Sequence, residues 1–284
     1  MPSILTVRNV GKTYKANGNE TSALSNVNLE VRPGEFVSVI GPNGSGKSTL
    51  LKIIADILQT SSGTVAMAGV PAYMPQDHAL LPWRTVEENL LLPCDVKRIP
   101  REHMRGKIRG LLNEFGLEKY ARRYPASLSG GTRQKIALLR TVLQCNSFLE
   151  TDEKAPDSRR GESDEQGVSG IRRGRRRGSA TTKPDFFNSF LLLDEPFAPL
   201  DAITRLETQT WLMALLEKTR SSVLLITHDI REAIYLSDTI YVLSSGPGTI
   251  RERLSVHLPR PRNHGHLQTR EALELEKRLF SLLV

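Results

Sequence analysis

Nine residues, Gly41-Pro42-Asn43-Gly44-Ser45-Gly46-Lys47-Ser48-Thr49, constrain the fold of this chain more than any other stretch. They fit G-x4-G-K-[ST] and follow directly on the apolar run Phe36-Val37-Ser38-Val39-Ile40. Backbone that turns on Gly41, Gly44 and Gly46 points successive N–H groups into one concavity, and a helix starting there adds its positive end. That arrangement cradles phosphate oxygens. Lys47 is placed to reach the outer phosphates and Ser48 to ligate Mg2+. The cradle needs a strand before it and a helix after it. Phe36–Ile40 reads as a strand buried on both faces, and the residues from about Lys47 to Leu58 read as a helix.

Two further runs have the same buried-strand character, Phe190-Leu191-Leu192-Leu193 and Ser222-Val223-Leu224-Leu225-Ile226. Between them Ile203, Leu206, Leu212, Leu215 and Leu216 recur at helical spacing. Strand–helix–strand order predicts an α/β core with right-handed crossovers. From Thr85 to Leu128 the pattern is mostly helical, with breaks expected at Pro93, Pro100 and Pro125.

Residues 151–185 depart from all of this. Their large aliphatics are Val168 and Ile171, and they hold nine Lys or Arg, seven Asp or Glu and five glycines. Too little apolar surface is available there to offset chain entropy, so a poorly ordered insertion is expected. Its run Arg172, Arg173, Arg175, Arg176, Arg177 reads first as a solvated, tolerated linker.

The whole chain, 284 residues, is expected to be one domain. A helical subdomain would span about 77–140, the insertion about 151–185 and a C-terminal extension about 256–284. The chain is 39% hydrophobic and 25% charged, which excludes a fully disordered or collagen-like protein. No apolar run approaches the ~18–20 residues of a membrane span. The first residues lack the order of a signal peptide. Two cysteines, Cys94 and Cys145, make no disulfide framework. A net charge of +8 permits contact with nucleic acid or an anionic membrane and selects neither.

Two more motifs carry chemistry. Leu191-Leu192-Leu193-Asp194-Glu195 ends a strand in a carboxylate suited to Mg2+. Glu195 follows at once, where it is placed to polarise an attacking water. Leu128-Ser129-Gly130-Gly131-Thr132-Arg133-Gln134 opens a helix expected to run to about Gln144. A helix start with bare N–H groups is a second phosphate-binding site. One chain already has such a site at Gly46. A second makes sense if two chains face each other, each offering it to the other's terminal phosphate.

With these residues in view the chain resembles the ATP-binding-cassette ATPases over nearly everything outside 151–185. Ser129, Gly130, Gly131 and Gln134 look like the family signature, Gln76 like its Q-loop glutamine and His228 like its switch histidine. Asp201 looks like the D-loop aspartate and Tyr14 like the aromatic that stacks on adenine. The resemblance implies a P-loop NTPase (RecA-like) α/β core with a small antiparallel β part and an inserted helical subdomain. It implies ATP and Mg2+ as cofactors, with Ser48, Gln76 and Asp194 around the metal and Glu195 and His228 as catalytic groups. Leu80–Asn89, Asp194–Phe197, His228–Ala233 and Leu258–Arg262 narrow it to the nitrate/sulfonate/taurine importer branch. The implied partners are a second ATPase subunit, expected to be another copy of the same chain, transmembrane permease subunits and, indirectly, a substrate-binding protein. Nucleic acid is not an expected partner, and the cytoplasmic face of the membrane is the expected location.

Two departures stand out. Ala198-Pro199-Leu200-Asp201 stands where the branch usually reads Gly-Ala-Leu-Asp, and the stretch from Gly63 to Gln76 is short, so the small hairpin there is expected to be trimmed. Neither touches the groups on phosphate or metal, so ATPase activity is expected to be retained. A soluble switch ATPase of the same superfamily is the alternative. The lack of long coiled coils and of a second cassette, together with Leu81-Pro82-Trp83, favours transport. A P-loop kinase or GTPase is opposed by Leu128–Gly131.

Overall fold

The computed structural model describes residues 3–16, 19–77, 79–145 and 189–284. The insertion at 151–185 lies outside the described residues, as do Met1 and Pro2.

Two sheets organise the chain. β1 (Leu5–Ala16), β2 (Asn19–Val31) and β4 (Ser62–Met67) form an antiparallel sheet in the order β2-β1-β4. β3 (Phe36–Ile40), β5 (Ala72–Met74), β6 (Phe190–Asp194), β7 (Ser222–Thr227), β8 (Thr239–Leu243) and β9 (Ile250–Ser255) form the second, in the order β5-β6-β7-β3-β8-β9. Every pairing in it is parallel except β8 with β9. The three runs expected to be buried strands are β3, β6 and β7, and all their residues are buried.

Their continuous apolar character has a geometric reason: successive side chains point to opposite faces, and both faces are covered. Phe190, Leu192, Leu224 and Ile226 pack with β1, β2 and α1 (Lys47–Ile54). Leu191, Leu193, Val223 and Leu225 pack on the other face with the helices that follow β5. Each fully buried leucine or isoleucine contributes about 1.5–3 kcal/mol of transfer free energy.

Those helices are α2 (Val86–Leu90), α3 (Leu92–Lys97), α4 (Arg101–Glu114) and α5 (Gly130–Gln144). Because β5 and β6 are parallel neighbours, the whole helical region is one crossover between them. The region breaks at the three prolines expected to break it, and each of them begins the element after the break. Pro93 sits in the first turn of α3, Pro100 is the N-cap of α4, and Pro125 opens a short 3-10 turn. A proline in a first turn loses no helical hydrogen bond, because that N–H has no partner inside the helix. α1 ends at Ile54, short of the expected Leu58, as the chain turns through Asp56 at φ +57°. Between Gly63 and Gln76 no separate hairpin forms. β4 pairs with β1, and four residues later the chain enters the other sheet as β5.

Three helices complete the described chain: α6 (Ala202–Thr219), α7 (Ile230–Leu236) and α8 (Arg270–Leu283). α7 and α8 cover Ile40, Ile240 and Val242 with Ala233, Ile234, Ala272 and Leu279. The parallel sense of β3, β5, β6 and β7 has one consequence above all. The loops leaving their carboxyl ends share an edge, and these loops hold Gly41, Gln76, Glu195 and His228.

Candidate nucleotide site

Gly41–Thr49 fills the turn between β3 and α1. Gly44 and Gly46 adopt φ +78° and +89°, where an L side chain is strained. A Cβ on Gly46 would also lie 2.7 Å from the Ala23 carbonyl oxygen. Gly46 is the N-cap of α1, and no side chain caps that helix. Its first N–H groups, with the helix dipole, are therefore available to an anion. Lys47 is buried, and its Nζ donates to the carbonyls of Gly41 at 2.8 Å and Pro42 at 3.0 Å. Burial lowers the Lys47 pKa, and the charges of Glu195 and Asp194 oppose the shift.

Ser48 Oγ donates to Asp194 Oδ1 at 3.0 Å, joining α1 to the end of β6. Asp194 is buried, and burial raises its pKa against the hydrogen bond from Ser48. Tyr73 of β5, which sequence reasoning passed over, also hydrogen-bonds Asp194. Its phenol is pushed up to about 12 by burial and by that carboxylate. The only signal was its place three residues before Gln76, and it gains meaning only through the pairing of β5 with β6.

Glu195 sits at φ +47°, a conformation that costs a non-glycine residue free energy and clusters at functional sites. Its N–H donates to Ile226 O at 2.9 Å, which fixes the turn against β7. The Glu195 carboxylate and His228 Nδ1 are 3.1 Å apart. Tyr14, half exposed on β1, places its hydroxyl 3.2 Å from Thr49 Oγ1, so its ring stands beside the loop. Gln76 and Asp77 face Ala198 and Pro199 across a cavity of about 340 Å3. Among the described residues Gln76 makes no hydrogen bond to the Ser48–Asp194 pair.

The structure does not bring Ser129, Gly130 and Gly131 to this loop. Ser129 caps α5, its Oγ accepting from Thr132 N at 3.3 Å. Gly131 packs so tightly on α6 that a Cβ would lie 2.3 Å from Thr204 Cγ2. Gln134 is buried and donates to the Pro196 carbonyl, tying α5 to the turn after Glu195. Asp201 caps α6, its Oδ1 accepting from Thr204 N at 3.1 Å. Pro199 is accommodated because the turn bonds here use Ala198 N, to Glu195 O, and Leu200 N, to Phe197 O. Neither needs an N–H at 199. Arg205, also missed in the sequence, donates to Leu200 O at 3.0 Å and lies 3.4 Å from Asp229 Oδ2. It links the Asp201 turn to the residue after His228.

Glu232, in the first turn of α7, is buried and accepts from Gln209 Nε2 at 3.2 Å. Burial, helped by the charge of Asp229, pushes its pKa up to about 8. The folded protein thus keeps a proton that the unfolded chain releases near pH ~4.3. Stability falls as pH rises between those two values, because the native state binds more protons there. Glu232→Gln imitates the neutral acid and is expected to flatten the decline of Tm between about pH 5 and about pH 8. Calorimetry across that range is the check, and an unchanged slope removes Glu232 as its source.

The residues fit a nucleotide with Mg2+. A glycine cradle, an uncapped helix start and a buried lysine suit a polyphosphate, and the hard oxygens of Ser48 and Asp194 suit Mg2+.

The comparisons agree. The sequence pattern of the family described as ABC transporter matches residues 24–155. An uncharacterised ABC transporter ATP-binding protein of Methanocaldococcus jannaschii is 33% identical over 287 residues, covering 98% of this chain and 91% of that protein. An aliphatic sulfonates import ATP-binding protein of Bacillus subtilis is 32% identical, covering 89% of this chain and 84% of that protein. A bicarbonate transport ATP-binding protein of Synechococcus elongatus is 34% identical over 92% of this chain, which spans 35% of that longer protein. Among solved structures, a dimeric ATP-binding cassette in a post-hydrolysis state with ADP and Pi matches with a TM-score of 0.64. It is 26% identical and covers 89% of this chain and 99% of its own. With the phosphate loop, the Asp194–Glu195 strand end and His228 on one sheet edge, and relatives similar across nearly the whole length, the chain belongs to the ATP-binding proteins of ABC transporters and is an ATPase of cassette fold.

Proposed function

We propose that this chain is the energy-coupling subunit of an importer for small solutes of the nitrate, sulfonate or bicarbonate kind. It works as a dimer on a membrane permease, at the cytoplasmic face. The observation that carries the catalytic part is the pair of contacts Ser48–Asp194 and Glu195–His228 on one edge. The solute class rests on the relatives named for sulfonates and bicarbonate.

In this reading Tyr14 stacks the base, and Gly41 to Thr49 hold the phosphates, with Lys47 balancing their charge. Ser48, Gln76 and Asp194 would hold Mg2+, which neutralises phosphate charge when bound. Glu195 takes the proton of the attacking water, and His228 keeps that carboxylate aimed. The Ser129–Gly131 turn of a second copy, with its Gln134 beneath, closes on the terminal phosphate. Asp201 lies at the seam between copies. Catalysis is then mostly positioning and charge stabilisation.

The permease is assigned to the loop before α2. Trp83 is 70% exposed there. The loop under it is stiff, because buried Asn89 accepts from Leu81 N and donates to the carbonyls of Leu81, Arg84 and Thr85. Arg84 and Arg101 both pair with Asp95 and hold its carboxyl at about 2. A rigid platform with an exposed indole suits a protein partner. Tagged chain drawn from native membranes in mild detergent is expected to bring a multi-span permease, and Trp83→Ala to lose it while ATP binding persists. If only RNA, ribosomes or soluble proteins follow, the transport reading fails.

A further inference from the structure

Tyr14 stands beside the phosphate loop with 40% of its surface exposed. An exposed tyrosine turns about its side-chain torsions, and a base that stacks on it loses affinity to the entropy of stopping that motion. Two contacts restrict the ring here. At its rim the hydroxyl lies 3.2 Å from Thr49 Oγ1 of α1. Over its face stands Lys12 Nζ, 5.4 Å from the ring centre. Residues 12 and 14 are two apart on β1, and alternate residues of a strand point to the same side.

The Lys12 amine is anchored. It donates to Gln59 O at 2.7 Å. Gln59 belongs to the segment that leaves α1, and that segment is clamped to β1. Thr60 Oγ1 and Ser61 N both donate to Gly11 O at 2.9 Å, and Thr13 N donates to Ser61 Oγ at 3.1 Å. The approach is close, since a Cβ on Gly11 would lie 2.6 Å from Ser62 Oγ. Both contacts on the ring therefore lead back to α1 or to the residues that follow it. α1 also carries Lys47 and Ser48, so the ring is fixed against the same body that holds the phosphates.

We propose that Lys12 is a positioning residue for base recognition. Its ammonium is attracted to the negative face of the ring and occupies the space that a stacked base would need on that side. The base then takes the opposite face of a ring already held in place. This rests on the reading of Tyr14 as the residue that stacks the base.

ADP with Mg2+ is the probe, titrated into the full chain by calorimetry, because it carries the base and is not hydrolysed. Lys12→Met keeps the stem and removes the charge. It is expected to weaken ADP by about two- to fivefold, the worth of an exposed ammonium–aromatic contact. Lys12→Arg, which supplies another cation suited to an aromatic face, is expected to restore parent affinity. Tyr14→Leu is expected to weaken ADP by about tenfold, as loss of one base–aromatic stack does. In that background Lys12→Met is expected to have no further effect, because Lys12 acts through the ring. Pyrophosphate, which has the phosphates without the base, is expected to compete with ADP equally well in the parent and in Lys12→Met.

Parent-like or tighter ADP binding by Lys12→Met overturns the proposal. So does the same loss in the Tyr14→Leu background, the same loss for pyrophosphate, or a failure of Lys12→Arg to restore affinity. Parent-like ADP binding by Tyr14→Leu removes the stacking reading itself and the proposal with it. The other failures leave the role of Tyr14 standing.

Discussion

Glu195→Gln is expected to lower ATP turnover by about 10²- to 10⁴-fold, the usual worth of a positioned general base, while leaving ATP affinity near that of the parent. The substitution keeps the size and planarity of the side chain and its capacity to hydrogen-bond His228, 3.1 Å away. It removes the basicity. Because the backbone already holds φ +47° through the Glu195 N–H to Ile226 O bond, the amide should occupy the same place. With ATP bound and not consumed, the closed two-copy state should persist, seen as an ATP-dependent dimer in size-exclusion chromatography. Turnover equal to the parent's would remove Glu195 as the base.

Asp194→Asn is expected to act in opposite directions on activity and stability. It leaves one weak neutral oxygen where Mg2+ needs a hard anionic one, so Mg2+-dependent hydrolysis should fall by about 10³-fold, comparable to losing a main electrostatic contact. The protein without nucleotide should nonetheless melt at a higher temperature. Asp194 is buried and its pKa raised, chiefly by burial, so ionising it at neutral pH costs the fold stability. The sign follows from linkage. The folded state holds that proton more tightly than the unfolded chain, so the penalty grows as pH rises above the unfolded value of ~3.9 and disappears in acid. The Tm gain of the variant should therefore be larger at pH 8 than at pH 4, and MgATP should raise the Tm of the parent more than that of the variant. A variant less stable than the parent at every pH would show instead that the Ser48–Asp194 bond outweighs the burial cost.

Much of this site is legible in the sequence, because the readable signals are local. Phe36–Ile40 is apolar on both faces and can be little else than an interior strand, and Gly44 and Gly46 sit where the backbone needs positive φ. The helix from the Ser129 cap to Gln144 was legible at both ends, since a serine cap and an apolar period fix it within a few residues. The breaks at Pro93, Pro100 and Pro125 were legible for the same local reason. A proline signals that a helix cannot pass through it, but does not say whether a helix stops or starts there.

By itself the sequence determined which chemical groups exist and which short elements carry them. It supplied the phosphate loop, the strand ending in Asp194 and Glu195, and His228 after another strand. Only the tertiary structure decided which groups meet. Ser48 and Asp194, 146 residues apart, touch because β6 and β3 lie in one parallel sheet on either side of β7. Tyr73 reaches Asp194 through the pairing of β5 with β6, and Arg205 joins two loops that no local pattern connects. Gly131 lies against Thr204 and Thr208 of α6, a contact that no local pattern connects. The reason is physical: periodicity, caps and turns are set by interactions within a few residues, whereas strand order and register are set by how all the apolar faces are buried at once.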